Sequence, residues 1–127
     1  MSRKTVRTSD APLAIGPYSQ GVEVGGFVFV SGQIPIDPKT GNVVQADIKD
    51  QTKMVMNNAK AILIAAGCNM SKVVKATIYL KTMADFESVN EIYGGYFPMD
   101  PPARATVEVS GLPKDVSVEM DFIAWKG

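Results

Sequence analysis

The sequence predicts an α+β fold in which one mixed sheet forms a single layer and two helices pack on one of its faces. Three observations predict it. Short runs alternate apolar and polar residues with the period of two that marks half-buried strands. Two longer stretches space their apolar residues as helices do and carry their own start signals. Glycine and proline separate these segments, and 127 residues with 46% hydrophobic content suffice for one core, so residues 1–127 are expected to form a single domain.

The elements follow in order. The N-terminal residues around Arg3, Lys4 and Arg7 alternate like a first strand. Gly21 to Gly32 reads as a hairpin, with Val22 and Val24 on one arm and Phe27 to Val30 on the other, turning at Gly25-Gly26. Asp37-Pro38-Lys39-Thr40-Gly41 is a turn, because proline presets φ and glycine accepts positive φ. A helix is expected from the N-cap Asp47 to a C′ glycine at Gly67, with Ile48, Gln51, Val55, Ala59, Ile62 and Ala66 on its buried face. Val73 to Lys81 follows as a strand with Val74, Ala76, Ile78 and Leu80 on one side. Thr82 and Asp85 announce a second helix running to about Phe97 and burying Phe86, Val89 and Tyr93. Two strands, roughly Ala103 to Val109 and Val116 to Trp125, complete the order β-β-β-α-β-α-β-β. In the last, Val116, Val118, Met120, Phe122 and Ala124 should face the helices, while Ser117, Glu119, Asp121, Ile123 and Trp125 face away. Large apolar groups on that open face suggest cover by partner subunits.

Composition excludes several classes of function. Thirteen basic and thirteen acidic residues cancel, so nucleic acid is not expected as the main partner. No apolar run is long enough to span a bilayer, and no apolar signal core follows the N-terminal basic residues, so neither a membrane nor a cleaved leader is expected. One cysteine, Cys68, permits no internal disulfide and fits a reducing compartment, the cytoplasm. Its neighbourhood lacks the positive charge that activates a thiol. Histidine is absent, which removes Ser-His and Cys-His pairs, and no cluster offers metal-ligand spacing, so no metal is expected. Neither G-x-G-x-x-G nor a P-loop occurs, so a nucleotide cofactor has no support.

Several residues remain as candidates for chemistry. Arg104 lies in Pro101-Pro102-Ala103-Arg104-Ala105-Thr106, at the start of a strand. It reads either as a structural arginine or as a carboxylate receptor using its planar fork. Glu119 is one more strand acid or, near such a receptor, a group that orders a water, with partial burial raising its pKa. Tyr18, after the turn at Gly16-Pro17, is a packing tyrosine or a phenol aimed into a cleft. Ser31-Gly32 ends a hydrophobic strand with a hydroxyl and a backbone N–H in reach of a ligand. Asn90 adjoins the apolar stripe of the second helix, where a surface amide is the ordinary reading.

The segments Ile15-Gly16-Pro17-Tyr18-Ser19-Gln20-Gly21, Ser31-Gly32-Gln33-Ile34-Pro35, Pro102-Ala103-Arg104, Leu112-Pro113-Lys114-Asp115 and Val118-Glu119-Met120-Asp121 closely resemble the Rid family, the YjgF-type reactive-intermediate deaminases. The resemblance covers nearly the whole chain. It implies a Rid-type domain with a chorismate-mutase-like subunit, assembled as a homotrimer with sites in clefts between subunits. It further implies a cofactor-independent enzyme that hydrolyses short 2-imino acids, such as 2-iminopropanoate and 2-iminobutanoate, to 2-keto acids and ammonia. By the same resemblance Arg104 holds the substrate carboxylate, Glu119 positions water, Tyr18 with Ser31 and Gly32 orients the imine, and Asn90 stands at the site edge. Thr106 replaces a cysteine of some members, at a position whose role is assigned to the backbone carbonyl, and Asp121 stands where the common pattern has glutamate. Two other functions share these residues: a trimeric binder of small 2-keto acids without turnover, and the ribonuclease of older family labels. Neutral charge and the lack of an aromatic–basic platform argue against the latter.

Overall fold

The computed structural model describes residues 2–127. Its strands are β1 (Lys4–Val6), β2 (Gly21–Val24), β3 (Phe27–Gln33), β4 (Val73–Leu80), β5 (Ala103–Glu108) and β6 (Val118–Trp125), and its helices are α1 (Ile48–Ala65) and α2 (Phe86–Gly95). The six strands form one sheet in the order β1-β2-β3-β6-β4-β5. Only β4 and β5 pair in parallel, joined by α2 as a crossover, and the remaining pairs are antiparallel. The sheet is therefore mixed and the α+β layout is as the sequence implies.

Alternation decides which face is buried. Val28 and Val30 of β3, Ala76, Ile78 and Leu80 of β4, and Val118, Met120, Phe122 and Ala124 of β6 are buried beneath the helices. Val55, Met56, Ala59, Ile62 and Leu63 of α1 meet them, with no exposed surface. Truncating any of the larger of these would cost about 2–5 kcal/mol through lost transfer energy and the cavity left.

Local signals fix the ends of α1. The Asp47 carboxylate accepts from the backbone N–H of Asp50 at 2.9 Å, satisfying one donor that the first turn leaves unpaired. At the other end Gly67, at φ 77°, donates to the carbonyl of Ile64, and Cys68 donates to that of Leu63. This pair of bonds is the Schellman arrangement, which needs a left-handed residue at the glycine. Gln51, expected on the buried face, sits at its rim and accepts from the N–H of Ser117 at 3.4 Å.

Two expectations shift. Val74 points outward, 44% exposed, and Val73 is buried instead. The pairing of β4 with β6 slips between Val73 and Lys75, so one extra residue reverses the alternation there. The second helix also begins later than Thr82. That hydroxyl caps a single 3₁₀ turn, Met83–Asp85, and α2 follows, ending at Gly95 rather than Phe97. Neither helix is long and apolar enough to cross a membrane.

Candidate active site

One group of candidates gathers on the open face of the sheet. Glu119 lies between the buried Val118 and Met120, so the alternation of β6 turns its carboxylate away from the helices. Its position depends on an irregularity in β3. Pairing between β3 and β6 runs from Val30↔Phe122 directly to Gln33↔Met120, leaving Ser31 and Gly32 as a bulge with one residue more than the opposing strand. The Glu119 side chain rests on Gly32. A Cβ built there would meet Oε2 at 2.1 Å, so only glycine lets the carboxylate lie against that backbone.

A cleft of about 720 Å³ opens beside this contact, lined by Tyr18, Gly32, Lys114 and Glu119 together with apolar side chains such as Ile15 and Ile34. The segment carrying Tyr18 is tied down by Gln20, whose buried amide accepts from the N–H of Thr8 at 2.7 Å and donates to the carbonyls of Thr8, Ala11 and Pro12. Ser31 contributes to the same tether. Its hydroxyl donates to the Ser19 carbonyl, and its N–H donates to Gln20 at 2.9 Å. The Ser31 hydroxyl proton and the Ser31 N–H are thus engaged within the chain, and the hydroxyl oxygen remains as an acceptor.

Electrostatics favour a proton acceptor at Glu119. Burial raises its pKa above the usual carboxylate range, and the nearby Asp121 adds to the effect. Asp121 itself accepts from the Tyr79 hydroxyl at 2.9 Å, a bond that, with burial, raises the pKa of that phenol.

The second group lies on the other side of the sheet. Arg104 pairs with Ala76, whose side chain is fully buried under the helices, so the guanidinium projects toward α2. There it stands over the Tyr93 ring at 5.0 Å and the Phe86 ring at 5.7 Å, a cation–π seat. Its Nη1 donates to Oδ1 of Asn90 at 2.7 Å. Phe86, Asn90 and Tyr93 recur at helical spacing and form one cradle. The sequence signals the two aromatics only as core, and gives a surface amide as the ordinary reading of Asn90.

Thr106, two residues along β5, shares this side, and its hydroxyl is buried without a hydrogen-bond partner, as is that of Tyr93. Burial raises the Tyr93 pKa, against a smaller opposing effect of Arg104, so the phenol is neutral. Tyr93→Phe is therefore expected to leave thermal stability unchanged or to raise it by about 1 kcal/mol, since an unsatisfied group is removed. Differential scanning calorimetry checks this.

Within one chain the structure does not join the two groups. Tyr18, Gly32 and Glu119 belong to the open face, whereas Arg104, Asn90 and Thr106 belong to the helix side. The open face also exposes Phe27, Phe29 and Trp125 at 40%, 42% and 50%, with Phe27 opposite Trp125 and Phe29 opposite Ile123.

This geometry has close counterparts. A RutC family protein of Pyrococcus abyssi is 56% identical over 126 residues, covering 99% of each chain. The 2-iminobutanoate/2-iminopropanoate deaminase of Salmonella typhimurium is 48% identical over 124 residues, covering 95% of this chain and 96% of that one. A solved structure from the conserved Rid protein family, from Yersinia pestis, superposes with a TM-score of 0.96 at 46% identity, covering 98% of this chain and 99% of the other. The sequence profile described as Endoribonuclease L-PSP matches residues 8–126. With likeness from end to end in both sequence and backbone, this chain belongs to the Rid family.

Proposed function

We propose that this protein hydrolyses short 2-imino acids, the tautomers of enamines released by pyridoxal-phosphate dehydratases, to 2-keto acids and ammonia, as a homotrimer with sites between subunits. The observation that carries the reading is Glu119, a carboxyl with a raised pKa seated on Gly32 in a cleft that holds no histidine. The activity for which the Salmonella relative is named supports the substrate class. Separation of Glu119 from Arg104 supports the assembly, since a second copy laid on the apolar open face can bring its Arg104 to the cleft.

In this mechanism Arg104 of the neighbouring copy grips the substrate carboxylate by paired hydrogen bonds. Glu119 takes a proton from water as the water oxygen adds to the imine carbon and the C=N π pair moves to nitrogen, and it returns that proton to the nitrogen to give a neutral carbinolamine. Glu119 then takes the hydroxyl proton of the adduct and passes it to the amino group as the C=O bond forms and the C–N bond breaks, so ammonia leaves the 2-keto acid and the carboxylate is regenerated. Imines of this kind react with water unaided, so holding the two reactants in line supplies most of the acceleration, up to roughly 7–11 kcal/mol in ideal cases.

The direct test is release of ammonia and pyruvate from 2-aminoacrylate made in situ by a dehydratase, comparing the intact protein, Arg104→Ala and buffer. Acceleration by the intact protein alone is the expected result, and none over buffer would overturn the reading. RNA incubated in parallel addresses the other family label.

The raised Glu119 pKa gives a pH dependence with a defined sign. As a base, Glu119 must be ionised, so kcat/KM should fall as pH drops through its raised folded-state value. Stability runs the other way. The folded state favours the neutral carboxyl, so stability present below the ordinary carboxylate range declines as pH rises through the folded value. Glu119→Gln should therefore exceed the natural protein in melting temperature at neutral pH, with the difference vanishing in acid.

A further inference from the structure

The turn Pro113–Asp115 stands at the mouth of the Glu119 cleft, and Lys114 is part of the cleft wall. Its backbone is left-handed, at φ 55° and ψ 22°, and Asp115 beside it has φ 56°. Two consecutive non-glycine residues in that region are strained, and such strain persists where the surroundings impose it, often at functional sites. The surroundings here are visible. Asp115 forms an ion pair with Lys81, its N–H donates to Leu112, and the Val116 N–H donates to Pro113.

The turn is thus held, while the Lys114 ammonium has no ion-pair or hydrogen-bond partner among the described residues. Among the described residues Lys114 is also the only cationic one lining this cleft, since Arg104 belongs to the opposite side of the sheet. If Arg104 of a neighbouring copy takes the 2-carboxylate, the charge of Lys114 is surplus for an alkyl imino acid. The cleft extends from Glu119 and Gly32 as far as Pro38 and Gly41. Its apolar wall at Leu13, Ile15, Ile34 and Ile36 suits methylene groups running between the reacting carbon and a second charge.

We propose that Lys114 is a specificity-determining residue that recognises a second anionic group, directing the cleft toward 2-imino acids with an acidic side chain. This rests on the imine hydrolysis proposed above. The experiment compares kcat/KM for imines released in situ by oxidases from aspartate and from alanine, in the natural protein and in Lys114→Met and Lys114→Arg. Lys114→Met should lower the acidic-to-alkyl ratio about tenfold, the equivalent of one charge-assisted hydrogen bond, and Lys114→Arg should preserve it. An unchanged ratio in Lys114→Met overturns the proposal.

A binding measurement separates this from failure of the hydrolysis itself. Calorimetric affinities for 2-oxoglutarate and 2-oxobutanoate need no turnover. Selective loss of 2-oxoglutarate affinity in Lys114→Met supports the role of Lys114 even if no imine is hydrolysed, and equal affinities for the two acids in both proteins overturn it. Lys114→Gly relieves the left-handed strain, so it should lose the same selectivity while melting at a higher temperature.

Discussion

Alanine at position 32 is expected to lower kcat/KM for 2-iminopropanoate by about 100-fold or more, because displacement of a catalytic group by an ångström has effects of that size. Nothing in the fold should fail with it. Gly32 does not have a positive φ, so alanine fits the backbone, and stability should stay within about 1 kcal/mol. The added methyl group would, however, sit 2.1 Å from the Glu119 carboxylate oxygen. Of the two, the side chain moves, leaving the floor of the cleft for water. Steady-state kinetics and thermal melting, measured on the same preparation, check the pair of expectations. Full activity in Gly32→Ala would mean that Glu119 does not work from its seat on the bulge.

A second large effect is expected from mixing two inactive proteins. Arg104→Ala removes the guanidinium on the helix side, and Glu119→Gln removes the base on the open face. Each alone should lose at least about 100-fold in kcat/KM, the scale for deleting a main electrostatic group. Co-expressed with different tags and purified as mixed assemblies, they should regain activity. A site drawing Arg104 from one copy and Glu119 from the next finds both intact at roughly a quarter of random junctions. If each chain built its own site, the mixture would stay inactive, and the intersubunit assignment would fall with it.

These expectations draw on features of differing legibility. Periodicity exposed nearly all of the architecture, because burial of one sheet face and one helix stripe leaves a direct imprint on residue order. Asp47 and Gly67 marked the limits of α1 for the same kind of reason, since a cap is a local chemical event. Val74 was misread because the slip in β4 depends on its pairing with β6, which lies far away in the chain. The partners of Arg104 were hidden similarly. Phe86 and Tyr93 carry the ordinary signature of core residues, and nothing local says that a guanidinium from another strand stacks on them. Ser31 looked like a ligand contact, yet its hydroxyl serves the Ser19 carbonyl, a tether formed only when β3 and the Tyr18 segment meet. Lys114 sits in a motif that carried the resemblance, but its left-handed backbone is a property of the closed turn.

The bulge in β3 can also be understood as a phase slip in a binary code. Up to Val30 the even positions face the helices. From Gln33, buried with 5% exposure, the odd ones do. The extra residue shifts the phase at a single point, with the hydrophobic lettering intact on either side. Glycine at that point leaves bare main chain where any side chain would meet the Glu119 carboxylate. The place where the code loses step is then itself a message, and an interruption of alternation that ends in glycine marks where a sheet surrenders regularity for chemistry.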